Sequence, residues 1–179
     1  MDLGGIGCIL DVREMARRKG SIVDFVDEFL TLIEALNERQ VDYVLIGGAA
    51  LNVHGLIRAT EDVDIFIAPE RANVERLKEA LDDVWSDPSI DDIDPSELLG
   101  DFPVVRYGPP RGTMYVDIAT RIGERTSYED LEWELVRLRG VDIRVASPRS
   151  LYDMKVDTVR PIDRADARTL ARAFDFEEE

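Results

Sequence analysis

The length, composition and charge of this chain exclude several kinds of protein. It has 179 residues, 45% of them hydrophobic, which suits one folded domain with a buried core. The net charge of −16 argues against a protein that coats nucleic acid, because phosphate binding requires clustered Lys and Arg. No apolar run reaches the length of a transmembrane helix, and Cys8 is the only cysteine. We therefore expect a cytoplasmic protein with no membrane span, no signal peptide and no intrachain disulfide.

Helices and strands alternate in the first half of the chain. Residues 1–20 form an N-terminal extension, and the apolar residues from Ile22 to Leu36 then recur at helical spacing. An apolar strand ends at two glycines, and a short helix that Gly55 closes comes next. The elements predicted for this half are a helix at 21–37, a strand at 41–46, a helix at 49–54, a strand at 62–67 and a helix from Pro69 through Leu81.

The second half is predicted from turn residues and shorter apolar runs. Clustered Asp and Pro at 86–101 predict a surface loop or lid that carries no more than a short helical turn. The elements predicted here are strands at 104–107 and 113–118 around a turn at 108–112, a helical piece at 128–138, a strand at 141–145, a helix that Ser147-Pro148 begins and Pro161 breaks, a helix at 163–174 and an acidic tail at 177–179. Together they predict one α+β (α/β) domain over 21–179, a small mixed β-sheet flanked by helices, with a core at 41–120 and a helical C-terminal part at 147–175.

The clearest functional signal is a pair of carboxylates on one predicted strand. Asp62 and Asp64 are two residues apart, so both side chains project from one face while Val63 and Ile65 project from the other. Two adjacent carboxylates repel each other unless a cation lies between them or one takes up a proton. Since Mg²⁺ (or Mn²⁺) prefers oxygen ligands, the pair predicts a metal site; a solvent-facing acidic strand is the alternative.

Two glycines and a third aspartate extend this candidate site. Gly47 and Gly48 lie where a strand meets a helix, so they either let a phosphate approach the helix N–H groups or form a tight turn with positive φ. Asp117 lies on the predicted strand at 113–118. If that strand neighbours the strand carrying Asp62, three carboxylates converge and a two-metal centre becomes possible.

Other metal and nucleotide motifs fail on spacing. In a loop counted from Asp62, Phe66 and Ile67 fall where an EF-hand needs an oxygen ligand and a glycine. No Gly-Lys-Ser/Thr follows the glycine pair, which excludes a Walker A loop. His54 is the only histidine, so zinc sites built on several histidines are excluded, and we expect His54 to close the short helix.

Gly47-Gly48, Asp62-x-Asp64 and Asp117 on a later strand together resemble the nucleotidyltransferase superfamily related to DNA polymerase beta. The match spans roughly 41–120. The resemblance implies a nucleotidyltransferase fold and a Mg²⁺-dependent enzyme that transfers a nucleoside monophosphate from an NTP and releases pyrophosphate. It further implies that the three aspartates bind the metal and carry the catalysis, and that the glycine pair cradles the triphosphate.

Two flanking segments resemble the small single-domain branch of that superfamily, which includes antibiotic nucleotidyltransferases and nucleotidyltransferase toxins and antitoxins. Arg58-Ala-Thr, just before the carboxylate pair, follows that branch, and Arg58 would bind phosphate or pair with Glu61. Lys155 lies in a helix similar to one whose lysine is thought to meet the triphosphate. The resemblance therefore implies a nucleotide contact for Lys155, with a plain surface residue as the alternative.

The segment at 160–166 follows the branch less closely. An Arg-x-Lys-Asp-x-x-Asp motif is usual there, whereas this chain has Ile162 in place of the lysine. Asp163 and Asp166 have the spacing of a capping box, so we expect them to cap the last helix.

Three functions remain open at this stage. The first is a nucleotidyltransferase whose acceptor is a small molecule, an RNA 3′ end or a protein. The second is a non-catalytic binding module of the same fold, for instance one half of a toxin–antitoxin pair with a partner protein. The missing lysine favours the second, and the three carboxylates argue against it. The third takes Asp62-x-Asp64 as the motif of a nucleotide-sugar glycosyltransferase, although only 61 residues precede it and that fold places a larger nucleotide-binding half there.

Overall fold

The computed structural model describes residues 22–100, 103–121 and 126–176. The predicted N-terminal extension, Ser21 at the start of the first helix and the acidic tail at 177–179 lie outside the described residues. No helix in the described parts of the chain is long and apolar enough to cross a membrane.

Six α-helices and six β-strands make up the described structure. In chain order they are α1 (Ile22–Glu38), β1 (Tyr43–Ile46), α2 (Gly47–Val53), β2 (Asp62–Ile67), α3 (Arg71–Trp85), a 3₁₀ helix (Pro88–Asp92), α4 (Pro95–Leu98), β3 (Val104–Tyr107), β4 (Tyr115–Ala119), β5 (Trp133–Leu138), β6 (Val141–Ala146), α5 (Pro148–Val156) and α6 (Pro161–Ala173).

All six strands belong to one mixed sheet in the order β3–β4–β2–β1–β6–β5. The pairs β2–β4 and β1–β6 are parallel, whereas the other three neighbouring pairs are antiparallel. Every residue of β1 is buried, as expected for a central strand that is covered on both faces. The prediction of a small mixed sheet flanked by helices is therefore confirmed.

The apolar stripe of α1 explains how this helix covers the sheet. Its residues Leu32, Ile33 and Leu36 are fully buried, at the i, i+1 and i+4 spacing that puts them on one helix face. The helix packs against α3 and β6 and thereby closes one side of the core.

The predicted helical piece at 128–138 is wrong, because Trp133–Leu138 is the edge strand β5. It pairs with β6 from Trp133 opposite Ala146 to Leu138 opposite Val141. The two residues between the strands, Arg139 and Gly140, both have positive φ (49° and 92°), as the first-choice turns of two-residue hairpins require. This tight turn holds the segment in the sheet.

Short capped helices occupy the predicted loop at 86–101. The side chains of Asp87 and Asp94 accept hydrogen bonds from the backbone N–H groups of Ser89 and Ser96, each across an Asp-Pro-Ser sequence. These N-caps satisfy the first free N–H groups of the 3₁₀ helix and α4. Ser147 caps α5 as predicted, with its hydroxyl oxygen accepting a hydrogen bond from the backbone N–H of Ser150.

Candidate functional site

Two neighbouring parallel strands bring the three predicted aspartates to one face of the sheet. Asp64 of β2 lies opposite Asp117 of β4, and Asp62 lies one pleat away. The residues that follow each aspartate on β2, Val63 and Ile65, point into the core and are fully buried. The three carboxylates were expected to converge if β4 neighbours β2, and this condition is met.

Gly47 is required by the close approach of Asp64. It follows Ile46, the residue of β1 that pairs with Asp64, and it has φ of +69°. A Cβ atom on Gly47 would overlap the Asp64 carboxylate. Of the two interpretations of this glycine, the turn with positive φ is therefore the one that the structure shows.

The backbone of Gly48 also contacts Asp64. Its N–H donates a hydrogen bond to the Asp64 carboxylate. A Cβ atom on Gly48 would lie 3.0 Å from Cβ of Thr60, so the position has little room for a side chain. The glycine pair thus fits closely against the carboxylate site.

The charged form of Asp64 is disfavoured in the folded protein. Burial, together with the charges of Asp117 and Asp62, raises its pKa to about 6. The charge of Lys155 and the hydrogen bond from Gly48 oppose the shift but do not cancel it. The site therefore favours an added cation or a proton.

Arg106 is a site residue that the sequence did not reveal. It lies on β3 directly opposite Asp117. Its Nε and Nη2 atoms are each 2.7 Å from one oxygen of Asp117, and Nη2 is also 3.3 Å from Asp62 Oδ2. Finding it would have required the register of the β3–β4 hairpin, which depends on the conformation of the turn between these strands.

The acidic residues at 160–166 bind a buried lysine. Lys155 Nζ lies 2.9 Å from Asp163 Oδ1 and 3.0 Å from Asp166 Oδ2, and the lysine side chain is only 12% exposed. The expected capping role is wrong, since α6 begins after Arg160 with no side-chain cap. The two aspartates pair with the lysine because a buried ammonium group needs charged partners.

Arg58 joins this cluster from the loop before β2. Its Nε atom is 3.1 Å from Asp166 Oδ1, so its acidic partner is Asp166, where the sequence had suggested Glu61. Lys155 is correspondingly not a plain surface residue. Its positive charge also acts to lower the pKa of Asp64.

Replacing Arg58 by leucine is expected to lower the free energy of unfolding by about 1 kcal/mol. Asp166 would lose one of two cationic partners but keep Lys155. Urea denaturation provides the measurement, and Arg137→Leu is the matched control, because Arg137 forms an exposed pair with Asp142. A loss for Arg58→Leu no larger than that of the control would contradict a contribution of Arg58 beyond that of an exposed ion pair.

The three aspartates offer oxygen ligands that suit a divalent cation, but neighbouring side chains would have to move before an ion could bind. In the described parts of the chain, no group of three acidic, histidine or cysteine side chains is arranged to hold a metal ion as it stands. Two of the aspartates instead share the guanidinium of Arg106. Carboxylate oxygens are the donors that Mg²⁺ and Mn²⁺ take, so the donor set is suitable once Arg106 moves away.

His54 closes α2, as expected, and has a structural role. It is the C-terminal cap of this helix, and its Nε2 atom lies 2.8 Å from the carbonyl oxygen of Ala146. Its Nδ1 atom is 3.3 Å from a carboxylate oxygen of Glu134. The ring therefore ties α2 to the β5–β6 hairpin.

The fold is that of the nucleotidyltransferases. An antigenic nucleotidyltransferase-like protein from Paracoccidioides brasiliensis is similar over 86% of this chain and 78% of that chain, with 18% identity and a TM-score of 0.53. The solution structure of the antibiotic-resistance factor ANT(2'')-Ia is similar over 84% of this chain and 85% of that chain, with 15% identity and a TM-score of 0.50. At such identities the likeness establishes the fold alone.

The chain belongs to the family of the nucleotidyl transferase AbiEii toxin of type IV TA systems, whose family model matches residues 32–174. The resemblance to the nucleotidyltransferase superfamily, and to its toxin branch, is thereby confirmed. No curated protein sequence matches this chain.

Proposed function

We propose that this protein is a Mg²⁺-dependent nucleotidyltransferase that moves a nucleoside monophosphate from an NTP to an acceptor hydroxyl. The observation that supports it most is the convergence of Asp62, Asp64 and Asp117 on one face of two neighbouring strands, where two of them already share a cation. Such a cluster is costly without a cation, and nucleotidyl transfer uses carboxylate-bound ions of this kind.

Each residue has a role in the proposed reaction. Asp62 and Asp64 would hold the metal, with Asp117 as a further ligand on the acceptor side. The bound ions would neutralise the phosphate charges and lower the pKa of the acceptor hydroxyl. The acceptor oxygen attacks the α-phosphorus while Asp117 takes its proton. The bond from the α-phosphorus to the bridging oxygen then breaks, and pyrophosphate leaves.

Lys155, Arg58 and the glycine pair would bind the triphosphate in this proposal. The charge of Lys155 acts on Asp64 and Arg58 is linked to Lys155 through Asp166, which supports a phosphate contact for both cations. The backbone at Gly47 and Gly48 would approach the phosphates, in addition to the contact with Asp64. Chemistry of this kind rests mainly on positioning and charge neutralisation.

The biological role that we propose is that of a toxin acting in the cytoplasm, controlled by an antitoxin partner protein. The family membership supports this role. The acceptor, whether a small molecule, an RNA 3′ end or a protein, would then be a cellular molecule whose modification stops growth. The glycosyltransferase alternative has no support from the fold.

The test is label transfer from each α-labelled NTP, with Mg²⁺ or Mn²⁺, to molecules of a cell lysate. We expect one class of acceptor to take the label, and EDTA and Asp62→Asn to abolish the transfer. Growth arrest on expression should disappear in the same variant. If calorimetry finds that neither metal nor NTP binds, the non-catalytic binding module is the better description.

A further inference from the structure

We propose that Arg106 is an internal counter-cation that weakens metal binding at the carboxylate site until a nucleotide arrives. The incoming triphosphate would draw the guanidinium away and free Asp62 and Asp117 for the metal. The inference rests on the proposed function and adds to it a rule for how the site is loaded: metal binds more tightly together with NTP.

The contacts of Arg106 support this exchange. One guanidinium reaches two carboxylates on different strands, Asp117 at 2.7 Å through two nitrogens and Asp62 at 3.3 Å. These are two of the three aspartates that we assign to the metal. An arginine and a divalent ion compete for them, since both bind carboxylate oxygens.

Arg106 is also free enough to leave. Its side chain is 55% exposed, it lies on the edge strand β3, and its guanidinium rests 5.5 Å above the ring of Tyr115. Because the guanidinium is open to solvent, its displacement costs less than breaking a buried ion pair. Phosphate is a strong alternative partner, because a guanidinium can bind two of its oxygens at once.

Lys155 is a different kind of cation. Its side chain is 12% exposed and is held by Asp163 and Asp166, which keep it in place. Lys155 is thus fixed by its partners, whereas Arg106 can exchange its partners. Of these two cations, Arg106 is the one that contacts carboxylates that we assign to the metal.

The experiment measures Mn²⁺ affinity by calorimetry and electron paramagnetic resonance without nucleotide. Arg106→Ala and Arg106→Gln should each bind Mn²⁺ roughly fivefold more tightly than the unchanged protein, the factor that one exposed ion pair can account for. The matched control is Arg39→Ala, which removes the same charge from an arginine that bridges Glu79 and Asp83 on the surface. It should leave the affinity within about twofold, as expected for a distant exposed charge.

A non-hydrolysable NTP analogue provides the second arm. With the analogue bound to both proteins, the unchanged protein should bind Mn²⁺ as tightly as Arg106→Ala, because the analogue has already displaced the arginine. If Arg106→Ala binds Mn²⁺ no more tightly than Arg39→Ala, the exchange is wrong while the proposed function stands. If none of the proteins binds Mn²⁺, with or without the analogue, the proposed function is wrong and the exchange with it.

Discussion

Asp64→Asn is expected to abolish nucleotidyl transfer while making the metal-free protein more stable at pH 8. Loss of this ligand should lower the transfer rate by a factor of about 10² or more, since a bound metal stabilises the transition state by several kcal/mol. Asp83→Asn is the control, because Asp83 is a surface carboxylate paired with Arg39 and should leave the rate unchanged. Transfer at the normal rate by the Asp64 variant would contradict the assigned role.

The gain in stability follows from the raised pKa of Asp64. Its pKa is about 6 in the folded protein against an ordinary value of 3.8. The stabilising contribution of the protonated carboxyl is fully present below about pH 4 and is lost as the pH rises through about 6. At pH 8 the unchanged protein therefore carries a charge cost of about 1–3 kcal/mol that asparagine lacks.

Urea denaturation in EDTA at pH 4, 6 and 8 measures this effect. The difference in free energy of unfolding between Asp64→Asn and the unchanged protein should be largest at pH 8 and close to zero at pH 4. A difference that does not change with pH would show that Asp64 is not strained by burial and by its acidic neighbours.

Gly47→Ala is expected to have the largest effect on stability of any small substitution in the site. The residue has φ of +69°, which costs an L-residue roughly 1 kcal/mol or more, and its new Cβ atom would overlap the Asp64 carboxylate. Overpacking adds about 1–3 kcal/mol, so the total loss should be about 2–4 kcal/mol. Transfer activity should fall as well, because Asp64 must move.

Gly55→Ala is the matched control for the backbone alone. Gly55 also has positive φ (+82°), but nothing lies within 4 Å of the position of its Cβ atom. This variant should lose only about 1 kcal/mol and keep its activity. Urea denaturation of the two variants separates the cost of the positive φ from the cost of the overlap with Asp64. Equal losses in the free energy of unfolding would contradict the close approach of Asp64 to Gly47.

The part of the site that depends on local pattern could be predicted from sequence. The alternation in 62–67 placed β2 at its observed bounds and put Asp62 and Asp64 on one face. The short apolar strand at 113–118 likewise put Asp117 within reach. These predictions needed only the two-residue alternation of side chains along a β-strand and the assumption that the two strands are neighbours.

The parts that depend on register or distant packing could not be predicted in this way. Arg58 and Asp166 are 108 residues apart, and nothing in the local pattern of either segment indicates that they meet. The strand β5 was missed because a short apolar run suits a helix or a strand equally well. The choice between helix and strand is decided by the hairpin turn, which needs a positive φ at Arg139, a conformation that arginine does not favour by itself.

The pairing of Arg58 with Asp166 has a consequence for the order in which the site is completed during synthesis. The three carboxylates and Arg106 all lie before residue 121, so the acidic half can form once the middle of the chain is available. Lys155 and its partners Asp163 and Asp166 lie on α5 and α6, which are synthesised after the acidic half. We therefore expect a growing chain to hold the three carboxylates without Lys155, and so to remain inactive until α5 and α6 have docked.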